Sequence, residues 1–148
     1  MIKKIFIALV LSAALSSCTV LMLKPADFSW PVESVLNVDE KGYVYEKRYT
    51  FSVNVNPLFF EETGDSSNTA NKQVRIIRDS EGYYYITSQG FKHVYLFLPA
   101  ESGMKLYKKI NIYADKFLEN PAMNQRSPYV ELIDGQNKFL MNKTGIVR

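Results

Sequence analysis

From Tyr43 to Asn56 the chain alternates in type for fourteen residues, a period of two that suits an extended strand and no helix. The odd positions read Tyr43, Tyr45, Lys47, Tyr49, Phe51, Val53 and Val55; the even positions read Val44, Glu46, Arg48, Thr50, Ser52, Asn54 and Asn56. The pattern predicts one long strand, with the odd, tyrosine-rich face on a core and the even face in water. Asp39-Glu40-Lys41-Gly42 ahead of it reads as a turn, with Val32 to Val38 as the hairpin partner, and Pro57 ends the strand. Residues 61 to 72 have no apolar period and read as an exposed, mobile loop. Further strands are expected at Gln73–Arg78, Tyr83–Thr87, Phe91–Leu98, Met104–Ala114, Tyr129–Ile133 and Lys138–Met141. Leu106, Ile110 and Ile112 should share a face, and Asp115–Asn120 reads as a helical turn before Pro121. With about eight strands and no long helix, the fold class is all-β: an antiparallel β-sandwich (Ig-like or similar) or a small barrel.

A different kind of segment precedes this region. Lys3 and Lys4 lead into an apolar run from Ile5 to Leu15, the order of a secretory signal peptide, here expected as a helix. The run falls short of the about 20 apolar residues that span a bilayer. It closes on Leu15-Ser16-Ser17-Cys18, which resembles the lipobox of bacterial lipoproteins: a branched apolar residue and two small ones before an obligatory cysteine. The resemblance implies cleavage before Cys18, diacylglycerol on its thiol and acylation of the new amino terminus. Thr19 stands where Gram-negative lipoproteins retained in the inner membrane carry aspartate, so the resemblance points to the outer membrane. The expected organisation is a cleaved leader at 1–17, a lipidated N-terminus and short tether at 18–31, and one β-domain at 32–148. The tether holds Val20 to Leu23 and Trp30, which favours packing close to the membrane or the domain over a free spacer.

Cys18 is the only cysteine, so the domain is built without an internal disulfide. Removing the leader leaves about 130 residues, enough to bury roughly two thirds of the unfolded surface. Lys3 and Lys4 leave with it, taking 18 basic residues to 16 against 15 acidic, formally +1. No strong field remains to hold a polyanion, and nucleic acid is not an expected partner.

Catalytic chemistry finds little to work with. His93 is the one histidine, so a zinc site would need several carboxylates around it, and neither metal nor cofactor is expected. Gly64-Asp65-Ser66 resembles the opening of the nucleophile block of the Gly-Asp-Ser hydrolase family, but the aspartate which that family places three residues before its histidine is Gly90 here. Glu61, Glu62 and Asp65 read as members of a solvated loop. Ser102-Gly103-Met104-Lys105 distantly resembles the inhibitory loop of periplasmic lysozyme-inhibitor lipoproteins, with Ser102 and Lys105 at the matching positions, but that family's paired cysteines are missing. The aromatics are the richest feature: Tyr83, Tyr84 and Tyr85 on one strand, Tyr43, Tyr45 and Tyr49 on another, and Phe59-Phe60 beside the polar loop. Either they pair across strands and fill a core, or one face of them meets a glycan or a protein. The expectation is a non-enzymatic envelope lipoprotein binding another envelope protein, with Tyr83, Tyr84, Tyr85, Phe59 and Phe60 as candidate contacts. Glycan or small-ligand capture is the alternative, and hydrolysis through His93 and a loop acid stands behind both.

Overall fold

A computed structural model describes residues 33–147. The leader with its expected helix, Cys18 and the 18–31 tether lie outside the described residues. Among those described, eleven strands form three antiparallel sheets, joined by one short helix. The arrangement is all-β and sandwich-like, and no barrel closes.

The central sheet has the order β1(Ser34–Asn37), β4(Gln73–Arg78), β5(Tyr84–Ser88), β6(His93–Ala100), β7(Gly103–Asn111). Its middle strand, β5, is buried along its whole length, as a strand covered on both faces must be. Residues paired in register share a face. One face therefore carries Ile76, Ile86, Tyr95 and Lys109, and the other carries Ile77, Tyr85 and Leu96. A hairpin of β2(Tyr43–Glu46) and β3(Phe51–Asn54), with helix α1(Asn56–Thr63), covers the first face: Phe51 and Tyr49 meet Tyr84 edge-on at 5.4 and 5.5 Å, and Phe59 of α1 meets Phe91 at 5.0 Å. The remaining sheet has the order β11(Gly145–Ile146), β10(Asn137–Asn142), β9(Tyr129–Asp134), β8(Pro121–Arg126), and its Met123, Val130, Leu132 and Met141 join the same continuous core. Glu33 ties this sheet to the central one, accepting from Arg75 and from the Met123 N–H.

Four expectations are corrected. The alternating run 43–56 is two strands: the chain reverses at Lys47–Thr50, where Thr50 takes a left-handed φ of 54° and Glu46 Oε1 accepts the Arg48 N–H at 2.8 Å. Because Glu46 pairs with Phe51, the inward set switches from even to odd across the turn, which buries Val44 and Glu46 and leaves Tyr43 and Tyr45 outside. The partner of β1 is β4, not the 43–56 run. In the β6–β7 ladder the register slips between Leu96 and Phe97, so Tyr107 of β7 is an extra residue and Leu106 falls on the face opposite Ile110. Asp115–Asn120 forms bends rather than a helical turn; the Leu118 N–H donates to Phe91 and its carbonyl accepts from Gly90.

Candidate functional site

The first polar cluster grows out of α1. Pro57 fits the first helical turn, where its missing N–H costs nothing, and Gly64 ends the helix at φ 75° with its N–H on the Phe60 carbonyl. Phe59 points into the core. Glu62, three residues on, shares that side and meets the sheet. The Glu62 side chain is 1% exposed and fully occupied: Oε1 accepts from His93 Nδ1 and from the Tyr95 hydroxyl, both at 2.7 Å, and Oε2 accepts the Lys92 N–H at 2.8 Å. Burial, then the hydrogen bond and charge of Glu62, push the Tyr95 phenol far above its ordinary range. Exposed Glu61 pairs with Lys109 at 2.7 Å, which lowers its pKa, and the Lys109 ammonium lies 5.7 Å from the Tyr95 ring centre.

A carboxylate orienting an imidazole is two thirds of a hydrolytic triad. Among the described residues no serine or threonine hydroxyl hydrogen-bonds to the His93 imidazole, the Thr87 hydroxyl donating instead to the His93 carbonyl at 2.9 Å, and no group of three or more His, Cys, Asp or Glu converges as a metal site. Asp65 turns back on its own loop, accepting the Ser67 N–H at 2.8 Å. The arrangement can hold a ring and a helix end in place. The expectation that Glu61 and Glu62 sit in a solvated loop is corrected: both are helical, and the Glu62 side chain is buried. The missed signal was Asn56-Pro57 followed at Gly64 by a left-handed stop, a helix start and end seven residues apart.

The aromatics divide. Tyr84, Tyr85 and Phe59 are core side chains; Tyr85 donates to Asp79 at 3.2 Å, and Arg78 lies 5.5 Å from the Tyr84 ring centre. Tyr83 is half-buried against Tyr107 at 4.9 Å, and Phe60 is exposed. The tyrosine pair on the surface is Tyr43 and Tyr45, 44% and 53% exposed, beside a shallow groove of about 350 Å³ shared with Asn37, Asp39 and Ser52. Ser102 and Lys105 are exposed at the β6–β7 turn. Edge strand β7 carries Lys105, Lys108 and Lys109 and the bulge at Tyr107, features that discourage pairing with another strand.

A second polar region lies at an open end of the fold, where the start of β4, the end of β5 and the chain entering β8 converge. It is a cleft of about 480 Å³ lined by Asn71, Lys72, Gln73, Arg75, Ser88, Gln89, Asn120 and Pro121. Its walls are fixed from behind. Ser88 Oγ donates to the Gln73 carbonyl at 2.7 Å, and buried Asp134 accepts the Glu119 and Asn120 N–H groups at 3.0 and 2.8 Å and the Tyr113 hydroxyl at 3.1 Å. No protein-family model, curated protein or solved structure matches the chain.

Proposed function

We propose that this chain is a lipid-anchored protein of the bacterial envelope, of non-enzymatic type, whose β-domain works by binding another envelope protein. The observation that carries the reading is Leu15-Ser16-Ser17-Cys18 at the end of a basic and then apolar leader. The single cysteine supports it, since lipidation gives that residue a role in a chain with no second thiol to pair with. Two or more acyl chains hold a protein stably at a membrane, where one is marginal. Tyr43 and Tyr45 support the binding part: they stand side by side on the outward face of β2, each offering apolar area with a polar tip, the side-chain type enriched at interfaces.

The test is a pull-down from detergent-solubilised envelope with the wild type and with the double variant Tyr43→Ala/Tyr45→Ala. The reading expects one stoichiometric protein with the wild type and its loss with the variant. Recovery of no stoichiometric partner contradicts the binding function, and equal recovery by the variant removes the tyrosine pair from it.

A further inference from the structure

The 480 Å³ cleft has unclaimed polar groups where the Glu62 cluster has none. The side-chain amides of Asn71, Gln89 and Asn120 make no hydrogen bond within the described residues, and Gln73 makes one long one, to Asn37 at 3.3 Å. Lys72 has no carboxylate within ion-pair distance among the described residues; its ammonium lies 5.0 Å from the Phe59 ring centre. Arg75 spends one nitrogen on Glu33, and the rest of its guanidinium meets no acceptor among the described residues. Among the described residues no acidic side chain lines the cleft, so with Arg75 balanced by Glu33 the charge of the lining is that of Lys72, whose ammonium also helps lower the pKa of nearby Asp65.

Small-molecule pockets of roughly 300–1,000 Å³ are mostly apolar inside. This one has that size and the opposite lining, with Pro121 the one apolar side chain among the described residues that line it. Carboxamides donate and accept from one planar group, which matches neighbouring hydroxyls or an acetamido substituent; a lone ammonium matches one carboxylate. The geometry points to a binding site for an acidic sugar: a polyhydroxylated ligand held by Asn71, Gln89 and Asn120 through its hydroxyls and by Lys72 through one carboxylate. The ordered walls set by Asp134 and Ser88 present these groups without further folding, which lowers the entropy lost on binding. The site rests on the cleft alone and stands or falls independently of the lipid anchor and of the tyrosine pair.

The experiment is calorimetric titration of the detergent-solubilised full chain with three probes: a trigalacturonate, the neutral chitotriose, and inorganic phosphate. Trigalacturonate should bind at least tenfold more tightly than the other two. Lys72→Gln and Gln89→Ala, both at exposed positions, should each weaken it several-fold with an unchanged thermal unfolding midpoint, which shows that the variants are folded. Backbone amide shifts on titration should centre on Gln89 and Asn120. Phosphate binding as tightly as the sugar would make the site a bare anion site and overturn the sugar assignment. Chitotriose binding equally well, with Lys72→Gln without effect, would overturn the acidic group. No binding by trigalacturonate, or shifts centred elsewhere, would overturn the site.

Discussion

The Glu62 cluster and the Lys72 cleft are both polar, and they differ in what the polar atoms are bonded to. Glu62 is buried and spends its carboxylate on three donors from β6 and the residue before it, locking α1 to the sheet. In the cleft, three amides make no hydrogen bond among the described residues and the Lys72 ammonium lies over the Phe59 ring, while the wall behind them is held by Ser88 and Asp134. The histidine and the acids draw the eye as chemistry, yet they are consumed in holding the fold. The unremarkable amides are the groups left free for a ligand. Satisfaction of hydrogen bonds, more than residue type, separates a structural polar cluster from a binding one.

The contrast can be broken most forcefully at Glu62. Glu62→Leu strands the His93 and Tyr95 donors and the Lys92 N–H, and should lower stability by about 3–5 kcal/mol in urea unfolding. Glu62→Gln, which keeps an acceptor, should recover a large part of that loss. A Glu62→Leu protein as stable as wild type would dissolve the distinction between the two regions. Asp134→Ala joins the regions, since Asp134 anchors Tyr113 and the residues entering β8. It should cost about 2–3 kcal/mol and also weaken trigalacturonate binding; loss of stability with binding intact would show that the cleft wall does not depend on Asp134.

Alkali tests the burial of the phenols. The Tyr85 and Tyr95 pKa values are raised, chiefly by desolvation, so the stability these groups contribute is fully present below the unfolded value near 10 and is lost as pH rises above it. Tyr95→Phe should cost about 1 kcal/mol at neutral pH and reduce the steepness of that alkaline loss, followed by urea unfolding on both sides of pH 10. The smallest effect belongs to the cleft: Lys72→Gln and Gln89→Ala should stay within about 0.5 kcal/mol of wild type in the same assay. A loss well beyond that would mark these side chains as structural and reverse the contrast.

The legible parts of the fold were those in which local pattern and tertiary environment agree. Gln73–Arg78 is a strand at the bounds read from the sequence, and the hairpin closing over Asp134-Gly135 follows from turn chemistry between two short strand-like runs. The run from Tyr43 was half legible. Its period was right, but alternation continues in appearance through the Lys47–Thr50 reversal, and tyrosines count as apolar whether they face in or out. The register of Glu46 opposite Phe51 is what buries Glu46 rather than Tyr45. Glu62 was hidden because Glu-Glu-Thr-Gly reads as a polar loop, and its burial depends on His93 and Tyr95, some thirty residues away. The cleft was not legible at all: its lining comes from three stretches of chain, each of which reads as an ordinary polar turn or strand end. The expected leader and the lipobox resemblance at Cys18 lie outside the described residues and rest on the sequence alone.

The most direct test of the central claim is the intact mass of the membrane-fractionated protein, compared between wild type and Cys18→Ser. A lipid-anchored binding protein predicts a wild type that starts at Cys18, carries acyl mass and partitions with the membrane, beside a variant that is unacylated and either uncleaved or released. A wild type released without acyl mass would contradict the anchor, and with it the proposed place of this chain in the envelope.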